Sequence, residues 1–364
     1  MIPIFDINLN KKAKIYVNDC LKTNWISSQG IYIKKLEKAI RQFHKIKYCV
    51  VTSSCTTALH LAIRSLSLKK GDEVICPALS FISPANMILL ESLNLKLVDI
   101  DKETLTLDTK LLEKKISKKT KAILIVHQFG HSADMDKIIK ISKKFKLKII
   151  EDNAEALGGK YKNKLNGTIG DISTLSFFGN KIITTGEGGA ILTNNKKIYK
   201  ACLEMRDHGM SNKKKYYHKF LGFNYRMTNL QAAIGYEQFT RIDQILRIRS
   251  KQMNLYYKEL KNIKNIELRK FKNWCQPVHW LMTITCKKKN DRNRLLKFLK
   301  LRKIEARQMV LPISLAKHIN TKEKFKISEK VSFSSLHLPS GYNLTNKQIK
   351  HIALVIKSYF KEKN

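Results

Sequence analysis

The first half of the chain alternates short apolar runs with longer amphipathic segments. Between about residue 30 and residue 195, runs of three to five mostly apolar residues are separated by segments in which apolar residues recur every three or four positions. This alternation is typical of βαβ units, in which helices connect the strands of a parallel sheet. We therefore predict an α/β fold with a mostly parallel sheet. The predicted strands are residues 48–51, 73–76, 95–98, 122–126, 148–150, 175–177 and 190–192, and the predicted helices are residues 56–67, 108–115 and 136–144.

A different pattern begins at Asn229. Helical periodicity from there to about Leu260 predicts one long helix, broken at most near Gly235. Beyond it, a strand over 279–285, a helix over 291–301 and a tail helix from Asn346 predict a smaller α+β domain. We place the domain boundary near residue 240, with a large domain over 1–240 and a small C-terminal domain over 241–364.

The chain is strongly basic, with 70 lysine and arginine residues against 29 aspartate and glutamate residues and a net charge of +41. A charge of this size attracts polyanions, so nucleic-acid binding has to be considered. Only 12 of the 70 are arginine, and the lysines are spread along the whole chain in pairs and triplets. Because arginine is the usual reader of DNA bases, this distribution favours compositional drift, and we expect no specific nucleic-acid partner.

Neither a targeting segment nor a membrane span is predicted. The first 25 residues interrupt every apolar run with Lys, Asp or Asn, and the longest aliphatic runs are far too short to cross a bilayer. The seven cysteines form no C-x-x-C pair, so neither a zinc site nor a disulfide framework is indicated. We expect a cytoplasmic protein with no bound metal and no membrane partner.

Three segments contain residues suited to chemistry. In the first, TSSCTTALHLA over residues 52–62, small and hydroxyl residues join a predicted strand to a predicted helix. The first turn of a helix has unpaired N–H groups and a partial positive charge, so this segment fits a phosphate site. Ser and Thr are also the preferred helix N-caps, and a plain cap cluster explains the same residues equally well.

The second segment, LKIIEDNAEALG over residues 147–158, places Glu151 and Asp152 at the carboxyl end of a strand that is predicted to be buried. Ligands of open α/β sheets bind beside such strand ends. Asp152 is suited to hold a cation or a protonated ring nitrogen there. A helix cap at the end of the strand is the competing interpretation.

The third segment, SFFGNKIITTGEGGAILTNN over residues 176–195, carries Lys181 between a Gly-Asn turn and the loop TTGEGG. A Walker phosphate loop requires a glycine directly before the lysine and a helix after it, whereas here Asn180 precedes the lysine and a strand follows. The dinucleotide pattern G-x-G-x-x-G is also absent. Burial between apolar strands favours the neutral amine, the form of lysine that makes a Schiff base. In so lysine-rich a chain a solvated lysine is the default, and only the flanking residues argue against it.

Six motifs in a fixed order resemble those of the sugar-nucleotide aminotransferases of the DegT/StrS type. These enzymes depend on pyridoxal phosphate (PLP) and have fold type I, the aspartate-aminotransferase-like fold. The resemblance extends from about Trp25 to Thr345, nearly the whole chain. The motifs are SSxTxALHLA, PxxSF, EDxAEALG, SFFGNKxITTGEGG, GFNYRMTNLQAAIG and LPSG.

The resemblance implies a role for each matching residue. It implies that Lys181 forms the Schiff base with the cofactor and that Asp152 pairs with the pyridine nitrogen. Glu155 is implied as the partner of the ring's 3-oxygen, Phe81 as the aromatic stacked on the ring, and Asn224 as a ligand of the phosphate in a neighbouring subunit, so the protein would be a homodimer with shared active sites. Without the resemblance, Phe81 would be assigned to the core, Glu155 to a helix surface and Asn224 to a turn. The residues implied to bind the phosphate are Ser53, Ser54, Cys55, Thr56 and Ser176.

Two positions depart from the family pattern. Cys55 stands where the family usually has glycine, and a positive φ there would strain a cysteine. Asn153 replaces the common alanine, with no obvious consequence. The candidate contacts to the sugar nucleotide are Trp25, Ser28, His208, His218 and Arg307.

The implied reaction moves an amino group from L-glutamate to a nucleotide-linked 4-keto-6-deoxy sugar, for amino-sugar and surface-polysaccharide (O-antigen) biosynthesis. A sibling enzyme that dehydrates the sugar at C-3 has histidine at the position of Lys181, which disfavours that reaction here. A reaction with a 3-keto sugar substrate is kept as an alternative. A polyanion-binding protein on a PLP fold is the alternative from a different class, although no added binding module is predicted.

Overall fold

The computed structural model describes residues 1–211, 213–288 and 290–362. Its helices are α1 (Lys11–Lys22), α2 (Ile31–His44), α3 (Cys55–Arg64), α4 (Ser83–Leu90), α5 (Thr109–Lys115), α6 (Met135–Phe145), α7 (Lys196–Arg206), α8 (Asn229–Thr240), α9 (Ile242–Leu260), α10 (Asp291–Leu301), α11 (Lys326–Ser334) and α12 (Asn346–Lys361). Its strands are β1 (Tyr48–Thr52), β2 (Glu73–Pro77), β3 (Asn94–Val98), β4 (Thr120–Val126), β5 (Lys148–Asp152), β6 (Lys160–Tyr161), β7 (Lys164–Leu165), β8 (Ile172–Ser176), β9 (Gly189–Thr193), β10 (Ile266–Leu268), β11 (Cys275–Gln276), β12 (Met282–Cys286), β13 (Arg307–Gln308) and β14 (Ser335–Leu338).

Seven strands form one sheet in the order β1-β9-β8-β5-β4-β2-β3. Strand β9 runs antiparallel to both of its neighbours, and the other six strands are parallel to one another. This confirms the predicted mostly parallel sheet. Within this sheet, the largest difference from the predicted strands is at β8, which begins at Ile172 instead of residue 175. Its buried Ser173 and Thr174 made the apolar run shorter than the strand.

Helices cover both faces of this sheet. All five residues of β8 and six of the seven residues of β4 are buried, as expected for parallel strands between two helical layers. Helix α2 buries Tyr32, Leu36 and Ile40, which recur every fourth residue and form one apolar stripe. The helices predicted at 56–67, 108–115 and 136–144 are found as α3, α5 and α6, and α3 ends at Arg64, three residues before the predicted end.

The prediction of one long helix from residue 229 to 260 is wrong. Helix α8 ends at Thr240, α9 begins at Ile242, and the break is at Arg241, not near Gly235. The Arg241 side chain donates from Nε to Glu237 Oε1 at 2.7 Å, and its Nη2 donates to the backbone oxygen of Asn8. Gly235 lies inside α8, where a Cβ would come within 2.7 Å of the Thr185 side chain. This glycine permits close packing of the helix and does not end it.

The second half of the chain has its own antiparallel sheet, in the order β10-β12-β14-β13. Helix α10 has the predicted bounds, and α12 begins at the predicted residue. Strand β12 begins three residues later than predicted, because Arg249 of α9 binds the carbonyl oxygens of His279 and Trp280 and takes them out of the sheet.

The two halves of the chain are interleaved. Ile2 pairs with Ile304 of the second half, and β11 of the second half pairs with β6 of the first. The domain boundary near residue 240 therefore stays a proposal. In the described part of the chain, no helix combines the length and the apolar character needed to cross a membrane.

Candidate active site

The segments singled out in the sequence meet at one edge of the seven-stranded sheet. The carboxyl ends of β1, β2, β4, β5 and β8 lie at this edge because these strands are parallel, and β9 starts there because it runs the other way. Gly189, the first residue of β9, pairs with Thr52 on one side and with Ser176 on the other. The start of α3, the end of β5 and the loop that carries Lys181 are therefore neighbours.

The segment 52–62 forms the turn from β1 into α3. Ser54 is the N-cap: its Oγ accepts a hydrogen bond from the Thr57 N–H at 3.1 Å, and the Ser54 N–H donates to Thr57 Oγ1 at 3.2 Å. The N–H groups of Cys55 and Thr56 follow the cap and have no partner within the helix. The Ser54 hydroxyl therefore acts as a helix cap, while these two N–H groups and the Ser53 hydroxyl fit an anion.

Cys55 causes no backbone strain at the start of α3. It is a helical residue and is not among those with positive φ, so replacement of the family's glycine costs little here. Its Sγ lies 3.8 Å from Thr174 Oγ1, and burial raises the pKa of the thiol, which stays protonated at neutral pH. Gly189 is the glycine that this turn requires, because a Cβ there would come within 2.5 Å of the Ser54 carbonyl oxygen.

The adjacent carboxylates Glu151 and Asp152 point to opposite sides of β5, as successive strand residues do. Glu151 is fully buried and accepts hydrogen bonds from His127 Nε2 at 2.8 Å and from the N–H groups of Gly167 and Ile169 at 2.8 and 2.7 Å. Burial alone would raise the pKa of Glu151, but these hydrogen bonds outweigh it and lower the pKa. Glu151 is therefore a structural anchor for the loop that precedes β8.

Asp152 is a buried carboxylate at the sheet edge. Its Oδ1 accepts a hydrogen bond from the Ala154 N–H at 3.0 Å. Within the described residues, no lysine, arginine or histidine nitrogen lies within 4.0 Å of this carboxylate. Burial raises the pKa of Asp152, and the hydrogen bond from Ala154 and the more distant charges of Lys181 and His127 offset this rise only in part. A cationic group on a bound ligand would supply a close counter-charge.

Lys181 lies on a braced loop between β8 and β9. Gln238 of α8 accepts a hydrogen bond from the Thr184 N–H at 3.0 Å and donates to the Thr184 carbonyl oxygen at 2.6 Å. The Lys181 side chain is only 13% exposed, and its Nζ lies 3.8 Å from Glu155 Oε1. This lysine is therefore not one of the solvated lysines that dominate the chain.

Glu155 joins Lys181 to a strained turn. Its Oε2 accepts a hydrogen bond from the Phe129 N–H at 2.8 Å, and Phe129 has a φ of 49°, which is rare for a bulky residue. Burial raises the pKa of Glu155, and the neighbouring Lys181 opposes that rise. Glu155 therefore holds the turn with one carboxylate oxygen and faces the lysine with the other, so it is not a surface residue of a helix.

Two residues that position the lysine were not identified from the sequence. Gln238 is one of them, and Trp280 is the other: the centre of its indole ring lies 3.6 Å from Lys181 Nζ, and its Nε1 donates to the Asn180 carbonyl oxygen at 2.6 Å. Trp280 follows Asn180 by 100 residues, so no local pattern connects it to the lysine. The only signal was an aromatic residue within the strand predicted over 279–285.

At this edge of the sheet, Phe81 is exposed and Ser176 is buried. Phe81, in the turn after β2, is 61% exposed and is therefore not a core residue. Its open ring face fits stacking against a flat ligand. Ser176 is buried at the end of β8, where its Oγ accepts a long hydrogen bond of 3.4 Å from the Phe178 N–H.

Three other candidate residues lie together on an exposed surface. Asn224 Oδ1 accepts a hydrogen bond from Arg226 Nη2 at 3.3 Å, and the same Nη2 lies 3.5 Å from His208 Nε2. His218 Nδ1 lies 2.8 Å from the His208 carbonyl oxygen. These side chains form one group on the surface. None of the hydrogen bonds described above around Lys181 involves them.

The remaining substrate candidates lie elsewhere. Trp25 and Ser28 are in the loop between α1 and α2, which Asn229 holds by donating from Nδ2 to the Trp25 carbonyl oxygen at 2.7 Å. The Trp25 side chain is exposed. Arg307 is exposed in β13, where its Nη2 lies 3.0 Å from Glu305 Oε1. Among the described residues, no hydrogen bond within the chain joins Arg307 to Trp25 or Ser28.

The residues at the sheet edge fit PLP. The free N–H groups at the start of α3 match its phosphate, and the buried Asp152 carboxylate, whose pKa is raised by burial, matches its protonated ring nitrogen. The buried amine of Lys181 matches its aldehyde. Each part of the cofactor therefore has a chemically suitable group within this site.

Comparison with known proteins agrees with this geometry. The model of the DegT/DnrJ/EryC1/StrS aminotransferase family matches residues 8–357. GDP-perosamine synthase of Escherichia coli O157:H7 is 38% identical over 363 residues, covering 100% of this chain and 99% of the relative, and GDP-perosamine synthase of Vibrio cholerae is 36% identical over 99% of both. Among solved structures, Helicobacter pylori PseC, an aminotransferase involved in the biosynthesis of pseudoaminic acid, has a TM-score of 0.95 and 27% identity over 99% of both chains.

Two sequence motifs indicate the same relatives. Within the family, SFFGNKxITTGEGG and RDHGMSxxxxYxH most resemble GDP-perosamine synthase, and the full-length similarity to such enzymes confirms this resemblance. The fold is the aspartate-aminotransferase-like fold type I, as the resemblance implied. The chain therefore belongs to the DegT/DnrJ/EryC1/StrS aminotransferase family and is a PLP-dependent sugar aminotransferase.

Proposed function

We propose that this aminotransferase moves the amino group of L-glutamate to C-4 of a GDP-linked 4-keto-6-deoxy sugar. The observation that carries this proposal is the 38% identity to a GDP-perosamine synthase along the whole chain. The amino sugar would serve surface-polysaccharide (O-antigen) biosynthesis. We place the reaction in the cytoplasm, where the cysteine thiols would stay reduced.

In this proposal, Lys181 and Asp152 carry the chemistry. When bound, PLP supplies an electron-poor ring that takes up the electrons left when the donor carbon loses its proton. Lys181 Nζ removes that proton and later returns a proton to the sugar carbon, acting as general base and then as general acid. The Asp152 carboxylate keeps the ring nitrogen protonated, and the N–H groups of Cys55 and Thr56 hold the phosphate.

The reaction has two halves that share these residues. In the first half, L-glutamate gives up its amino group, one water molecule is consumed, and glutamate leaves as its 2-oxo acid. In the second half, the keto sugar accepts that amino group and leaves as the amino sugar, with water as the by-product of condensation. Lys181 is needed in both halves, because each half moves a proton at the reacting carbon.

Three other functions remain as alternatives. The dehydration of the sugar at C-3 is disfavoured because Lys181 occupies the position of the dehydratase's histidine. A 3-keto sugar would react through the same residues, and the two reactions would differ only in the orientation of the sugar in the site. A polyanion-binding role rests on the net charge of +41 alone.

A substrate panel tests the proposed function. Purified protein with PLP and L-glutamate is offered GDP-, UDP- and dTDP-linked 4-keto and 3-keto sugars, and the products are identified by mass spectrometry and NMR. We expect a 4-amino sugar from the GDP-linked 4-keto-6-deoxy substrate. Product formed only from 3-keto sugars, or only with an amino donor other than glutamate, contradicts the corresponding part of the proposal.

We also propose that the enzyme is a homodimer in which Asn224 completes the partner's phosphate site. Asn224 lies on an exposed surface, and the adjacent Phe220 and Leu221 are 42% and 65% exposed, which suits a subunit contact. The Ser53 N–H donates to the Tyr225 carbonyl oxygen at 2.9 Å, so this surface is attached to its own chain's phosphate segment. The two sites of a dimer would then lie close to the interface.

Mixing two inactive variants tests this arrangement. We expect Lys181→Ala and Asn224→Ala, each inactive alone, to recover about a quarter of wild-type activity after subunit exchange, because half the dimers are mixed and each mixed dimer has one intact site. Activity is measured before and after exchange, and exchange itself is followed with two differently tagged chains.

The matched control mixes Lys181→Ala with Asp152→Asn. These two residues lie in the same chain's site, so every site of the mixed dimer carries one lesion and no activity should return. If the Asn224 mixture also fails to recover although the tagged chains have exchanged, Asn224 does not serve the partner's site.

A further inference from the structure

The indole ring of Trp280 covers the amine of Lys181. The distance from Lys181 Nζ to the centre of the ring is 3.6 Å, which is well inside the range of a cation–π contact. Trp280 is buried, with 6% of its surface exposed. Its Nε1 donates to the carbonyl oxygen of Asn180, the residue directly before the lysine. One side chain therefore contacts both the backbone and the amine of the lysine loop.

Two residues hold this ring and its backbone. Phe129 stacks on the ring with the ring centres 6.2 Å apart and the planes inclined by 10°. The backbone that carries the ring is held by Arg249 of α9, which donates from Nε to the His279 carbonyl oxygen at 3.2 Å and from Nη2 to that of Trp280. Arg249 is itself buried, so these hydrogen bonds to the backbone at the indole lie away from solvent.

The other neighbour of the amine is Glu155, whose Oε1 lies 3.8 Å from Nζ. This distance is longer than a hydrogen bond, and within the described residues no side-chain or backbone oxygen is hydrogen-bonded to the amine. The ammonium group therefore rests between a carboxylate and an aromatic face. Such a face attracts a cation most strongly where water is excluded.

We propose that the indole face of Trp280 is the docking position of the Lys181 amine whenever this lysine is not covalently bonded. Lys181 is free in this sense during both halves of the proposed reaction, when it has to carry a proton. Trp280 is thus a positioning residue that keeps the free amine next to Glu155 and out of solvent. This inference rests on the proposed role of Lys181 as the cofactor lysine.

Fluorinated tryptophans test the contact without changing the shape of the side chain. Fluorine withdraws electron density from the ring face, so mono-, di- and trifluorotryptophan hold a cation progressively less strongly. The chain has only three tryptophans and can be labelled with each analogue in a tryptophan-requiring host. The labelled full-length protein is loaded with pyridoxamine phosphate, a form in which Lys181 is not covalently bonded.

The readout is acetylation of Lys181 by acetic anhydride as a function of pH, followed by peptide mass spectrometry. We expect the pH of half-maximal labelling to fall stepwise along the series, by about one pH unit in total, because the ammonium form loses its cation–π partner. The exposed Lys200 in the same digests serves as an internal standard and should not change.

The matched control is Trp280→Phe grown on the same analogues. Its fluorine atoms are confined to the other two tryptophans, so the Lys181 midpoint should be constant along the series. Equal midpoints in the wild-type series, or an equally large trend in Trp280→Phe, would overturn the proposal. Borohydride reduction of the PLP form tests the role of Lys181 separately, since a label on another lysine would refute that role without affecting the labelling series.

Discussion

Replacement of Lys181 by alanine is expected to lower kcat by about 10²–10⁴-fold, the usual effect of losing a general acid–base group. The Lys181 amine is buried on a braced loop beside Glu155 and Trp280, so a solvent amine cannot easily take its place. Steady-state transamination measures the loss. In the wild-type protein, borohydride reduction of the PLP form followed by peptide mapping should place the pyridoxyl group on Lys181.

Lys200→Ala is the matched control for this change. Lys200 is an exposed residue of α7, so we expect kcat and the pyridoxyl label to be unchanged. A Lys181→Ala protein that turns over at the wild-type rate would refute the proposed mechanism. A pyridoxyl group on a different lysine would refute the assignment of the cofactor lysine.

Asp152→Asn is expected to keep bound PLP but to lose about 10²–10³ in kcat, the range seen when a charge-stabilising group is removed. The amide has nearly the same shape as the carboxylate, but it carries no charge that could hold the ring nitrogen protonated. Absorbance of the bound cofactor measures occupancy, and single-turnover kinetics with glutamate measure the rate. Near-normal turnover would mean that Asp152 only caps the turn at Ala154.

The neighbouring Glu151→Gln provides a contrast to this variant. Glu151 accepts hydrogen bonds from His127 and from backbone N–H groups on the side of β5 opposite to Asp152. The glutamine amide would face some of these donors with its own N–H groups, so we expect a loss of about 1–3 kcal/mol in the free energy of unfolding. Turnover per cofactor-loaded molecule should change little. Because the folded-state pKa of Glu151 is lowered, its contribution to stability is present at neutral pH and is lost as the pH falls through that value.

Local patterns were sufficient for most of the secondary structure. The central strands of the large sheet are almost entirely buried, so most of them stand out as apolar runs between polar segments. The pattern failed where burial involves polar residues, as at Ser173 and Thr174 of β8. It also failed at Arg241, where the helix break coincides with a hydrogen bond to Asn8, 233 residues earlier in the chain.

The sequence was sufficient to predict the fold class, the family and the three segments that meet at the candidate cofactor site. It could do so because parallel strands bring their carboxyl ends to one edge, and short motifs at those ends place suitable chemical groups there. The different roles of the two adjacent carboxylates became clear only in the tertiary structure: Glu151 is a buried anchor bonded to His127, whereas Asp152 has no ion pair within 4.0 Å among the described residues. The position of Trp280 over Lys181 could be found only in the tertiary structure. This contact joins a loop of the large sheet to a segment that follows it by about 100 residues, and it depends on how the two halves of the chain pack.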